Sequence, residues 1–158
     1  MPLRSDWSEA TCPIARSLDV VGDPWVLLVL REAFQGVTRY DEFRARLGVA
    51  DSVLAKRLAG MVDAGLLERT PYRDGQRTRD GYVLTDAGAD LLPLLNALVL
   101  WGERHRPRGS GVMHVVHDRC GRETASADTC TSCGEPLSPA TVSWRKPRDP
   151  SRLVPLVR

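Results

Sequence analysis

The chain has 158 residues, 42% of them hydrophobic, enough for one domain of ordinary size and a small appendage. Its 22 Lys and Arg against 20 Asp and Glu leave a net charge of +2, which excludes a chain that is basic throughout, so any polyanion must be met by a local patch. With three histidines, no Gly-rich phosphate loop and no serine or carboxylate pair in a catalytic frame, the composition speaks against an enzyme.

Met1 to Thr11 is polar and includes Arg4, Asp6 and Glu9, so it reads as no secretory leader. The expectation is a cytoplasmic protein with reduced cysteines. Cys12 precedes Pro13-Ile14-Ala15-Arg16, at the start of a first helix. There the positive end of the helix dipole and the nearby Arg16 favour a thiolate; the competing reading is a small apolar side chain that only packs. Asp23-Pro24-Trp25 then spells an N-cap followed by proline at the first helical position. The apolar run Val26 to Leu30, continued by Arg31-Glu32-Ala33-Phe34, is accordingly read as a core helix.

From Gly36 to Leu84 the pattern becomes more specific. Tyr40, Phe43 and Leu47 recur at helical steps, Gly48 breaks them, and only a tight corner separates this helix from the next. The second helix runs from about Asp51, with Leu54, Leu58, Met61 and Val62 buried, and ends at Gly65. Its outward positions are read as Ser52, Ala55, Lys56, Arg57 and Ala59, small residues beside long cations that suit a DNA major groove. Two short strands follow, Leu66 to Tyr72 and Tyr82 to Leu84, joined by a polar loop carrying Arg73, Arg77 and Arg79. Two helices at a sharp angle and a basic hairpin predict a winged helix-turn-helix on double-stranded DNA. Arg39, at the start of the first of these helices, adds a cation where phosphate would cross.

Thr85 is placed to cap a long helix from Asp86 to about Arg104, bent at Pro93. From Leu91 to Trp101 it is apolar except for Asn96, and it is too short to span a bilayer. A helix apolar all round needs cover on every side. A winged domain of this size offers too little, so a second subunit is expected on Leu91, Leu95, Leu98 and Trp101.

After a composition change at Arg106-Pro107-Arg108-Gly109-Ser110-Gly111 come His117-Asp118-Arg119-Cys120-Gly121 and Cys130-Thr131-Ser132-Cys133-Gly134. Each half sets two ligand types three positions apart with glycine after the second, so His117, Cys120, Cys130 and Cys133 predict a closed, structural zinc site. Alternatives are a Cys130/Cys133 redox dithiol, His114 in place of His117, or a vestigial site. The segment is too short for a core of its own, which favours a metal staple. The tail from Val142 onward is rich in Pro and Arg, with two roles in view, nonspecific DNA affinity or packing of Trp144, Leu153, Val154 and Leu156 onto the dimer.

The combination resembles the HxlR-type winged-helix regulators, relatives of the MarR group. The residues that carry it are Cys12-Pro13-Ile14, Val21 to Arg31, Gly36, Arg39-Tyr40, Phe43, Leu54, Arg57-Leu58, Gly65-Leu66, Tyr82, Leu84-Thr85, Gly88, Leu91 to Leu94 and Trp101. Asp23 departs from the small residue usual there. The resemblance implies a homodimeric repressor or activator responding to a reactive small molecule, and it implies an electrophile- or oxidant-sensing role for Cys12. The resulting expectation is a mainly α winged helix-turn-helix with a β-hairpin wing (1–107), a zinc-ribbon-like module (108–140) and a basic tail (141–158). A protein-binding adaptor that uses the ribbon and no DNA is the competing function.

Overall fold

The computed structural model describes residues 6–109 and 112–157. Met1, Arg4, Ser110 and Gly111, named above, lie outside these residues, as does position 158 of the tail. Helix α1 (Pro13–Val21) starts at Cys12, and α2 (Pro24–Phe34) starts where Asp23 accepts the Trp25 N–H at 2.9 Å with Pro24 in the first turn. Helices α3 (Tyr40–Leu47) and α4 (Asp51–Asp63) meet at Gly48, whose φ of 61° turns the chain sharply. The Tyr40 hydroxyl donates to the Asp51 carbonyl at 3.0 Å, and Arg44 pairs with the Asp51 carboxylate at 3.1 Å, which fixes the corner. Phe43, Leu54, Leu58 and Met61 face α2 residues Val26, Val29, Leu30 and Phe34 in one core.

Helix α4 closes with two reversed hydrogen bonds, Leu66 N–H to Met61 O and Gly65 N–H to Val62 O, around the left-handed Gly65. Strands β1 (Leu67–Asp74) and β2 (Arg77–Leu84) then pair in antiparallel register from Leu67↔Leu84 to Asp74↔Arg77. The wing is therefore longer than the sequence pattern suggests. What reads as a nine-residue loop is mostly ladder, with a two-residue turn at Gly75-Gln76 made by the positive φ of Gly75.

The long helix expected after Thr85 is two helices, α5 (Asp86–Ala89) and α6 (Leu92–His105). Pro93 does not bend a helix. It sits in the first turn of α6, where its missing N–H costs nothing. Gly88 of α5 abuts the Leu66 carbonyl so closely that a Cβ there would lie 2.1 Å from it, which locks α5 against the α4–β1 corner.

The C-terminal third forms a four-stranded sheet in the order β4-β3-β5-β6, from β3 (His114–His117), β4 (Arg122–Glu123), β5 (Val142–Arg145) and β6 (Leu153–Pro155). Residues 142–155 are thus not a separate tail; two of the four strands come from them. Nor does this module hang from a linker. Trp144 packs on Phe34 with ring centroids 6.4 Å apart, Val157 N–H donates to Phe34 O at 2.8 Å, and Val115, Val142 and Leu156 join the helical core. Asn96, the polar residue of α6, accepts the Trp144 indole N–H and donates to the Ala127 carbonyl, both at 3.0 Å. The inward face of α6, Leu92, Leu95 and Asn96, is buried within one chain. Leu95 is therefore a residue of this chain's own core rather than the exposed interface residue expected of it, and Leu91 packs half-buried against the same core.

Candidate DNA interface and metal centre

On α4 the side chains of Ser52, Ala55 and Lys56 are exposed together, with Arg39 exposed at the entry to α3. Arg57 behaves differently. Its guanidinium folds back to Asp23, Nη2 to Oδ2 at 2.5 Å, with the side chain 23% exposed. Helical geometry explains this: Arg57 stands three residues after Leu54 and four before Met61, on the inward stripe. Asp23 thus caps α2 with one oxygen and ties α4 to it with the other. Ala59, also read as outward, is half-buried.

In the wing the register sets Tyr72 opposite Arg79 and Asp74 opposite Arg77, so these four share a face, while Arg73 lies on the other. Arg39 lies over the Tyr72 ring, 4.7 Å from its centroid, and Arg79 pairs with Asp74 at 3.0 Å. Arg39 thus joins the start of α3 to the wing, and Lys56 stands exposed on α4 of the same helix-turn-helix.

In the C-terminal module one buried histidine and three cysteines converge. His117 ends β3, and Gly121 N–H returns to His117 O at 2.8 Å; the second half repeats this with Gly134 N–H to Cys130 O at 2.8 Å. Gly121 and Gly134 both have positive φ, 67° and 77°, so two matching turns present four ligands. The ligand atoms of His117, Cys120, Cys130 and Cys133 all lie within 4.8 Å of one another. Individual separations are 3.6 Å for Cys120 Sγ to Cys130 Sγ, and 3.5 and 3.3 Å from His117 Nδ1 to Cys120 and Cys133 Sγ. A tetrahedral ion with bonds of about 2.3 Å to sulfur and about 2.0 Å to nitrogen spaces its donors about 3.8 and 3.5 Å apart, so the set fits a metal. All four cysteines of the chain are free thiols.

Nδ1 of His117 faces the sulfurs. Nε2 is buried without a hydrogen-bond partner among the described residues and points toward the Glu135 carboxylate at 4.0 Å, itself held by Arg119 at 2.7 Å. The 4.0 Å separation is too long for a hydrogen bond, so the carboxylate stands behind the imidazole without fixing it. Backbone N–H groups of Cys133 and then Ser132 aimed at Cys130 pull its thiol down to about 6. Cys133 is pushed up: the Glu135 N–H opposes this, but burial and the neighbouring thiols outweigh it. Buried Thr124 organises the connecting loop, its hydroxyl donating to Thr129 O at 3.1 Å and accepting from Thr131 N–H at 3.2 Å. His114 takes no part; it pairs with Glu123 at 2.9 Å on the sheet.

Cys12 is exposed at the N-cap of α1, with Arg16 directed to the carbonyls of Ala10 and Thr11 at 2.6 and 2.9 Å. Two apolar strips stay exposed: Ile14 and Leu18 on α1, and Leu94, Leu98 and Trp101 on α6, the last two 45% and 54% exposed. No helix among the described residues is long and apolar enough to cross a membrane.

Two helices at a glycine corner followed by a two-stranded basic wing define a winged helix-turn-helix protein. The chain belongs to the HxlR-like helix-turn-helix family, whose model matches residues 20–110. It is 37% identical over 131 residues to an HTH-type transcriptional regulator of Mycobacterium tuberculosis, covering 82% of each chain. The crystal structure of PA1607, described as a transcription factor, matches with 38% identity and a TM-score of 0.69 over 85% of this chain and 94% of that one. The redox regulator HypR in its reduced form matches with 27% identity and a TM-score of 0.55, over 60% of this chain and 94% of its own. The chain is thus an HxlR-type transcriptional regulator carrying a zinc-ribbon-like extension docked on its helical core.

Proposed function

We propose that this regulator binds a pseudo-palindromic operator as a homodimer, with α4 in the major groove and the wing on the flanking backbone. The observation that carries this reading is the patch of Ser52, Lys56, Arg39, Arg77 and Arg79 around an α4 whose outward face is otherwise small. Lys56 and Ser52 reach base edges or phosphates, while Arg73, Arg77 and Arg79 meet phosphate from the two faces of the ribbon. Arg57 acts indirectly, by setting the angle of α4 against α2. The exposed strips of α1 and α6 supply the surface for the second subunit, with Leu98 and Trp101 at its centre. Half-sites one helical turn, about 34 Å, apart follow from two such helices on one face of DNA.

The ligand set of His117, Cys120, Cys130 and Cys133 holds one structural zinc ion, because three thiolates and an imidazole suit zinc and leave no open position for water. Cys12 responds to electrophiles or oxidants: it is exposed at a helix N-terminus, and HypR, a redox regulator, shares the fold. The test is selection of bound fragments followed by titration of the selected site. Lys56→Ala should weaken binding at least tenfold, and Arg77→Ala with Arg79→Ala should flatten the salt dependence. Unchanged operator affinity in Lys56→Ala together with the double wing variant would leave the protein-binding adaptor as the better reading. Cys12→Ser should bind operator normally and resist diamide.

A further inference from the structure

A hollow of about 170 Å³ opens between the end of α2, the end of α3 and the loop before β6, away from the metal centre. Four cations line it, Arg46, Lys146, Arg148 and Arg152, against one carboxylate, Asp149, which is engaged by the Ser151 hydroxyl at 2.7 Å. The nearest further acid is Glu32 on α2. It is buried and already matched by Arg31 at 2.7 Å and Arg46 at 3.4 Å. Counting Arg31, five cations there meet two carboxylates, Glu32 and Asp149, so positive charge is in excess. Burial, and then the cations Arg46, Arg31 and Arg152, hold the Lys146 ammonium below its usual pKa, with Glu32 alone pulling the other way.

Gln35 adds a second demand. Its Nε2 donates to the Arg31 carbonyl at 2.9 Å, which fixes the amide, and its Oε1 is left buried with no partner among the described residues. A buried acceptor at the wall of a cationic hollow, reached by a small turn of the amide, favours a ligand that brings a donor as well as a negative charge. The volume equals that of about six water molecules.

We propose that this hollow is a binding site for a small hydroxylated oxyanion, such as a phosphomonoester with a short polyol arm, whose acid oxygens meet Arg46, Lys146 and Arg152 and whose hydroxyl donates to Gln35. A phosphodiester of the DNA backbone offers the charge but no hydroxyl, so the Gln35 acceptor distinguishes the two. Because Arg46 belongs to the first helix of the helix-turn-helix, a bound anion draws on the same guanidinium that neutralises Glu32.

The experiment is calorimetric titration of the full chain, metal-replete and at fixed ionic strength, with glycerol 3-phosphate, inorganic phosphate and dimethyl phosphate. Saturable binding of glycerol 3-phosphate is expected, at least tenfold weaker in Arg152→Ala and in Lys146→Met, and retained in Arg152→Lys. Gln35→Met should reduce the preference for glycerol 3-phosphate over dimethyl phosphate. Arg152 is exposed, so its variant tests the site without disturbing the core. Absence of saturable binding at millimolar ligand would overturn the proposal. So would equal affinity for dimethyl phosphate combined with a loss of operator affinity in Arg152→Ala, which would make the hollow a backbone contact for DNA.

Discussion

Replacing Asn96 with alanine tests whether the C-terminal module is part of the regulator's core. Asn96 is buried on α6 and bridges two segments distant in sequence, accepting from the Trp144 indole and donating to Ala127 O, each at 3.0 Å. Truncation leaves the indole N–H buried and unpaired, at a cost of about 2 kcal/mol. Ala127 is a half-buried residue in the connecting loop, so about 1 kcal/mol is assigned to its carbonyl. The total, about 3 kcal/mol, lowers the urea midpoint by about 1.5 M at a slope of about 2 kcal/mol/M. It lowers the melting temperature by about 9 °C for a domain of this size. Urea titrations of metal-replete protein, followed by circular dichroism and tryptophan emission, measure both. Trp144→Phe combined with Asn96→Leu should cost less than the two single changes together, since the unpaired donor and acceptor vanish as a pair. A midpoint for Asn96→Ala within about 0.3 M of the parent protein, a shift too small for an unpaired buried donor, would show that the module is loosely attached and refute this reasoning.

Arg57→Ala should destabilise the chain by about 1 kcal/mol, because it strands the half-buried Asp23 carboxylate; exposed Lys56→Ala should change the melting temperature by no more than about 1 °C, as surface changes do. Size-exclusion chromatography with light scattering should show Leu98→Glu as a folded species of half the mass, whereas Leu95→Glu, charged inside the core, should fail to fold. Purified protein should contain about one zinc per chain by elemental analysis, a closed four-ligand site taking a single ion, and Cys130→Ser or Cys133→Ser should lose it. Because Val115 and Trp144 belong to both module and core, metal removal should also lower the melting temperature of the helical part, visible as faster amide exchange in α2 and α6.

Local signals carried the helix starts and stops. Asp23-Pro24, Gly48 and Gly65 act within a few residues of themselves, and each took the conformation its chemistry requires. The paired ligand turns were equally legible, since glycine four positions after the first ligand and next to the second is a local device. The wing was underestimated because Arg73 to Gly81 is charged on both faces and shows no hydrophobic alternation. Pro93 was misplaced for a related reason: whether a proline bends or begins a helix depends on where the preceding turn ends, which Gly88 decides by its contact with Leu66. Arg57 was readable, since Leu54 and Met61 put its position on the inward stripe, yet its charge outweighed its phase. The docking of the module on α6 was not legible, because Asn96 meets Trp144 and Ala127 across long stretches of chain.

The hydrogen bond from Val157 to Phe34 has a consequence for how this protein is made. Phe34 is synthesised long before Trp144, which packs on it, and Leu156, which shares its core. Contacts of such separation form late and slow the completion of the fold. Until then the nascent chain carries an uncovered aromatic face beside its helix-turn-helix, a transient apolar surface of the kind that invites aggregation. A product terminated early, before β5, has the sequence of a complete helix-turn-helix but not its full core.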